Sequence, residues 1–467
     1  ISTVFRNERI KDAVMDLLFK NGTLVFADGS YKADLAVTSG RITAIGENLT
    51  SESHTAVVDA SDKLILPGGI DAHAHLKLAD GPFGGTRAAA CGGTTTVFDF
   101  AAQLHGEKIL DRLNYHRNFC DSEVCIDYAI HMAVTDTSNG LISGMDDCVA
   151  NGITSFKAYM VYDGWDLDDA AIFTMLERSV KIGALIEVHS ESKALLDILT
   201  AKYLKEAPHS PFSHYLSRPE VVESEAVARV IRLAKAAGAP VYIAHLTTDD
   251  ALESITKARD EGWPVFSETC PQYLHFTNDV YNRPDAINFV CSPSMKGEKS
   301  RQAIWRGLKR KDIDIVASDH SSYKQAEKDV AADDFTMIPM GCPGVETRYP
   351  YILAQANSGV MSFSRAVELC ATNPAKIFGC DDRKGSLAIG KDADIVVYDP
   401  QLNLTVTNEN MHGNNDQTIW EGMTLKGYPV ETYCRGRLVF KDGIFVGEKG
   451  FGKFVPCNKI HLDGPFI

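Results

Sequence analysis

Apolar and polar positions alternate in short runs near the amino terminus: Leu17-Leu-Phe-Lys20, Thr23-Leu-Val-Phe26, Ala33-Asp-Leu-Ala-Val37 and Arg41-Ile-Thr-Ala-Ile45. Asn21-Gly22 and Asp28-Gly29 stand between such runs, and dipeptides of this kind predict hairpins. The texture returns at the far end, in 393–398, 430–436 and 438–443. Two β-rich ends flanking a different middle predict one small β-sandwich built from both termini. In the middle, strand-like runs at 64–71, 95–100, 126–134, 154–160, 184–189, 241–245, 265–269 and 315–318 alternate with amphipathic stretches such as 166–181, 219–237 and 251–261. Eight strands alternating with helices over about 300 residues match a (β/α)8 TIM-like barrel. An open doubly wound α/β sheet is the rival, but no glycine-rich phosphate loop follows the first strand.

With 467 residues the chain exceeds one ordinary core, which agrees with a division into 1–65, 66–380 and 381–467, the outer two forming the sandwich and the middle the barrel. A formal net charge of −15 argues against nucleic-acid binding. No apolar run is long enough to span a bilayer, and the charged first residues do not read as a signal peptide. The eleven cysteines are scattered and odd in number, without a Cys-x-x-Cys pair. That usage predicts reduced thiols in a cytoplasmic protein.

Candidate chemistry lies at the carboxyl ends of the predicted strands, the face that carries active sites in such barrels. His73 and His75 stand two apart in Asp71-Ala-His73-Ala-His75, so both imidazoles point to one side of a strand. Lys157, His189, His245 and Asp319 follow at successive strand ends. A lone histidine among these is more often a packed barrel residue; together they form the donor set of a two-metal hydrolytic centre. His73, His75 and Asp319 would hold one ion, and His189 and His245 the other. Lys157 is either a buried lysine paired with an acid or, once its neutral amine is carboxylated by carbon dioxide, a bridging ligand. A water between ions about 3.5–4 Å apart would be deprotonated near neutral pH.

These residues, with Gly85-Thr-Arg-Ala-Ala-Ala-Cys-Gly-Gly-Thr-Thr-Thr96, Ser155-Phe-Lys157, Glu268-Thr-Cys-Pro-Gln-Tyr-Leu274, Val316-Ala-Ser-Asp319-His320 and Gly341-Cys-Pro-Gly-Val-Glu346, make the chain similar to the dihydropyrimidinase and hydantoinase branch of the cyclic amidohydrolases. The resemblance runs over about 17–455. It implies two zinc ions, a carboxylated Lys157, a homotetramer, and a cyclic amide or imide as the small-molecule partner. It gives Tyr162 the oxyanion, Asp319 the proton passed from water to the leaving nitrogen, and Ser292 and Met340 the substrate ring. His320 would support the ligands from behind or simply pack.

Three departures bear on substrate choice. Most relatives carry Asn where this chain has Met340. The segment from His75 to Gly85 is about half the usual length, which predicts a more open or reshaped pocket mouth. Lys77 stands where dihydroorotases carry an arginine for the substrate carboxylate; as a solvated loop lysine it has no such role. Allantoinase, dihydroorotase and cyclic imidase are the enzymatic alternatives, and a catalytically silent tetrameric scaffold the other.

Overall fold

The computed structural model describes residues 15–460 apart from 52, 139 and 331, together with the backbone of Phe5–Arg6. Eight strands line up in chain order in one parallel sheet: β1 (Gly69–Ala74), β2 (Thr94–Ala102), β3 (Asp127–Ala133), β4 (Ser155–Tyr159), β5 (Leu185–His189), β6 (Val241–Ile243), β7 (Val265–Thr269) and β8 (Ile315–Val316). The ring is completed between β8 and β1 by a parallel bridge from Ala74 to His320, with the His75 N–H donating to the His320 carbonyl at 2.8 Å. The (β/α)8 reading of the hydrophobic pattern is the fold.

The intervening helices form because their apolar positions recur at helical spacing. In Asp249–Asp260, Ala251, Leu252, Ile255 and Ala258 make one buried stripe, with acids in the first turn and Lys257 and Arg259 in the last, complementing the helix dipole. Asp169–Ile182 starts on an Asp168 cap that accepts the Ala171 N–H and stops at Gly183 in the left-handed region. Inside the barrel, Ile70, Phe98, Ala129, Leu185, Tyr242, Phe266 and Ile315 pack as an apolar plug. Along β5 the inward positions then change from Leu185 to Glu187 to His189, so chemistry begins one layer above the plug.

Two sequence expectations are corrected. The apolar run 64–71 is not one strand. Leu64–Pro67 pairs with Ile395–Tyr398 in a terminal sheet, and the barrel begins only at β1. Gly68 makes the crossing: a Cβ there would lie 2.1 Å from the Thr95 hydroxyl oxygen. Asn21-Gly22 closes no hairpin either, because Leu17–Lys20 and Thr23–Phe26 belong to different sheets. Asp28-Gly29 behaves as expected, Thr23–Phe26 pairing antiparallel with Gly29–Lys32. Strands from both ends of the chain meet around Phe19, Leu24, Ile65, Ile395 and Tyr433.

After the last strand the chain runs under the barrel floor. Val455, Cys457 and Ile460 donate backbone hydrogen bonds to Tyr128, Gly152 and Gly183, and Asn458 donates to Gly379. Gly379 has φ +76°, and a Cβ there would stand 2.3 Å from the Asn458 carbonyl oxygen. Gly379→Ala is therefore expected to cost more than about 1 kcal/mol, read as a lower denaturant midpoint with the slope unchanged. An unchanged midpoint would mean that the strap does not secure the floor.

Candidate active site

The strand ends bring the six candidate ligands to one mouth. A bulge in β1, with Asp71 opposite Val97 and Ala74 opposite Asp99, adds one residue and turns His73 and His75 toward the barrel axis. Ring centroids of His73 and His75 are 5.4 Å apart, of His73 and His245 5.4 Å, and of His189 and His245 4.5 Å. Asp319 Oδ1 lies 3.4 Å from His73 Nε2 and 3.5 Å from His75 Nε2. These three residues each present a donor atom, all within 4.8 Å of one another, and could hold a metal ion. His189 Nε2 donates to Glu191 at 2.9 Å, which leaves Nδ1 for an ion. His245 Nδ1 is buried without a hydrogen-bond partner. A carboxylate behind one histidine and an orphaned nitrogen on the next suit a second ion.

Three residues here hold the left-handed backbone that side chains avoid: Tyr162 (φ +82°), His245 (+33°) and Asp319 (+49°). Such strain persists where the surrounding fold imposes it, typically at functional sites. Electrostatics favour the metal-binding forms. Burial, and after it the Lys157 ammonium, holds His73 well below the usual imidazole range. Burial also lowers His189 and His245, so these rings are neutral with lone pairs available. Burial pushes the Asp319 carboxyl up, but the His73 and His75 imidazoles outweigh it and hold the group below its ordinary value.

Lys157 is fully buried, and its Nζ lies 2.5 Å from Glu187 Oε1. The protein thus contains the lysine–acid pair, and Glu187 is a residue that sequence reading passed over. Its signal was available: Glu187 precedes His189 by two and must share its face. Glu268 was quoted only as part of a motif. It accepts from Tyr242 Oη at 2.8 Å and from the His73 Nδ1–H, so it orients the first histidine from below. The two carboxylates repel: burial, then Glu187, drives Glu268 well up, while Lys157 overcomes burial to keep Glu187 low.

The other wall carries the candidate substrate groups. Tyr162 Oη lies 3.4 Å from His189 Nε2; burial, then Glu191, raises its pKa far enough that the phenol remains a donor. Ser292 Oγ donates to Glu191 at 2.7 Å, and Arg218 reaches from the same carboxylate to the Met340 sulfur at 3.4 Å. Glu191 and Arg218, also unread in the sequence, therefore join the His189, Ser292 and Met340 positions. Lys77 is exposed and sits over the Tyr115 ring, apart from this group. His320 contacts Asp80 at 3.0 Å and accepts from the Gly344 N–H, securing the short loop after His75. That loop is pinned again where Leu76 N–H meets Asp99 and Asp80 N–H meets Ser322.

Residues 64–439 match the model of the amidohydrolase family. A D-hydantoinase of Ralstonia pickettii is 38% identical over 456 residues, covering 95% of this chain and 99% of that one. A D-hydantoinase of Rhizobium radiobacter is 37% identical, with 94% and 98% covered. Among solved structures, the dihydropyrimidinase of Brevibacillus agri superposes with a TM-score of 0.93 at 34% identity, over 96% of this chain and all of that one.

Proposed function

The chain belongs to the amidohydrolase family, and from that premise we propose that it opens cyclic amide rings of the hydantoin and dihydropyrimidine type to N-carbamoyl amino acids. The observation that carries this reading is the His73–His75–Asp319 donor group at the mouth of a barrel whose relatives are hydantoinases. Bound divalent ions would supply a water deprotonated near neutral pH and a Lewis acid for the ring carbonyl. His73, His75 and Asp319 would hold one, His189 and His245 the other, with a carboxylated Lys157 between. Zinc as the metal and a homotetramer belong to the same proposal and rest on the family. A cytoplasmic setting is supported by eleven free cysteines, ten of them buried.

The protein's own groups then have definite tasks. Asp319, anionic at neutral pH, takes the proton of the attacking water and returns it to the leaving ring nitrogen. The Tyr162 hydroxyl donates to the carbonyl oxygen as negative charge develops there. Ser292 and the Met340 segment hold the ring, and Glu191 keeps His189 and Ser292 in mutual register.

Tyr162→Phe is expected to lower kcat by about 10²–10³-fold with metal content unchanged; an unaltered kcat would remove the tyrosine from the reaction. The reading as a whole is tested on dihydrouracil, hydantoin, a simple imide and dihydroorotate in parallel, with each product identified by mass. Opening of the first two confirms it. Exclusive opening of the imide or the acid would reassign the substrate, and inert protein carrying its metals would overturn the activity.

A further inference from the structure

On β2, Phe98 packs into the barrel plug, and the Phe100 ring stands 4.7 Å from the His75 ring and 4.6 Å from that of His73. Alternation turns Asp99, between them, outward to the helix layer, where it is fully buried. Its Oδ1 accepts two backbone N–H groups, from Leu76 at 3.0 Å and from Phe100 at 2.9 Å. Leu76 directly follows His75, and Phe100 carries the ring on which His75 stacks. One carboxylate oxygen therefore fixes the backbone beside a candidate metal ligand and that of the ring packed against it.

Asp99 is held in turn by the helix Ile109–Asp121. The buried positions of this helix are Ile109, Arg112, Leu113, His116 and Cys120, a stripe at helical spacing that apolar residues would ordinarily fill. Arg112 runs out to Glu107 at 2.8 Å; His116 has no such exit. Its Nε2–H donates to Asp99 Oδ2 at 2.8 Å, and its Nδ1 is buried with no hydrogen-bond partner. Burial pushes the Asp99 carboxyl up, but His116 outweighs it by charge and hydrogen bond and holds the group below its ordinary value. A carboxylate gripped at both oxygens in a water-poor layer cannot rotate away from the two amides.

We propose that His116 is a positioning residue for the metal ligand His75. By holding Asp99 it sets the Leu76 amide, and through that amide the direction in which the short loop presents the His75 imidazole. The inference rests on the metal-dependent reading of the His73–His75–Asp319 group, to which neither His116 nor Asp99 belongs. His189 and His245 stand on other strands, so loss of the His116 hydrogen bond should loosen one ion and spare the other.

The test compares His116→Leu, which keeps bulk without the donor, with His116→Gln, whose amide can reach the same oxygen. Zinc affinity is measured by chelator competition on metal-stripped protein in bicarbonate buffer. Exchange of the Leu76 amide is followed on the metal-free protein by hydrogen–deuterium mass spectrometry. His116→Leu is expected to weaken one zinc-binding step by about tenfold, the scale for residues that orient ligands from behind. It should leave the other step unchanged and speed exchange at Leu76 several-fold, and His116→Gln should restore both. Should His116→Leu fail to fold, Asp99→Asn, which keeps the shape and an oxygen for the amides, is expected to move both readouts in the same direction. Unaltered zinc steps in a folded variant would overturn the proposal. So would equal weakening of both steps that follows a lower melting temperature and is not rescued by glutamine. A third zinc, lost from His116→Leu, would overturn it too, making Asp99, His116 and Cys120, whose donor atoms lie within 4.8 Å of one another, a site of their own. A chain that binds no zinc would refute the metal reading itself, while exchange at Leu76 still shows whether His116 fixes the loop.

Discussion

Asp319→Asn is expected to lower ring-opening turnover by about 10³–10⁴-fold, upwards of about 4 kcal/mol of transition-state stabilisation. The substitution keeps the shape of the side chain and an oxygen facing His73 and His75, so circular dichroism and the melting temperature should move little. What it removes is the charge. In the native protein the two imidazoles outweigh burial and keep Asp319 ionised at neutral pH, and only the ionised form can take a proton from water. Metal analysis of the variant separates the two duties proposed for the residue: lost zinc points to ligation, retained zinc with lost turnover to proton transfer. Near-normal turnover of a zinc-loaded variant would refute both.

Lys157→Arg should be inactive and metal-poor. Arginine keeps the positive charge beside Glu187, now held at 2.5 Å by the lysine, so the buried pair survives. Removing the cation outright would leave Glu187 unpaired and cost several kcal/mol of stability by itself. What arginine does not supply is a neutral amine for carbon dioxide. A carbon-13 carbamate resonance is expected from the native protein in labelled bicarbonate and should be missing from the variant. Full activity and zinc in Lys157→Arg would mean that the lysine serves only as the counter-ion of Glu187.

Much of this architecture could be read from residue order, and its failures share a cause. Strand ends were legible because polar residues with metal-binding side chains follow apolar runs at 189, 245 and 319. The split of 64–71 was hidden because both halves are buried and apolar; only the Pro67-Gly68-Gly69 sequence marks the crossing, and its meaning depends on Thr95 packing against Gly68. Asn21-Gly22 has hairpin chemistry, yet tertiary packing sends its flanking strands into different sheets. Within the site, alternation could have flagged Glu187 from its spacing to His189. Arg218 and Glu268 could not be placed the same way, because their partners lie far away in sequence, Met340 for Arg218 and His73 for Glu268; Glu191 stands two residues after His189, which it contacts, but its link to Ser292 is equally remote. Such pairings exist only once the barrel has closed.

The most direct measurement titrates metal-stripped protein with zinc in bicarbonate buffer while hydantoin opening is followed by loss of ultraviolet absorbance. Turnover should be absent without metal, rise with added zinc, and reach its plateau at two ions per chain. Full ring opening by protein shown to be free of metal, or none at all with both ions bound, would contradict the metal-dependent cyclic amidohydrolase assigned to this site.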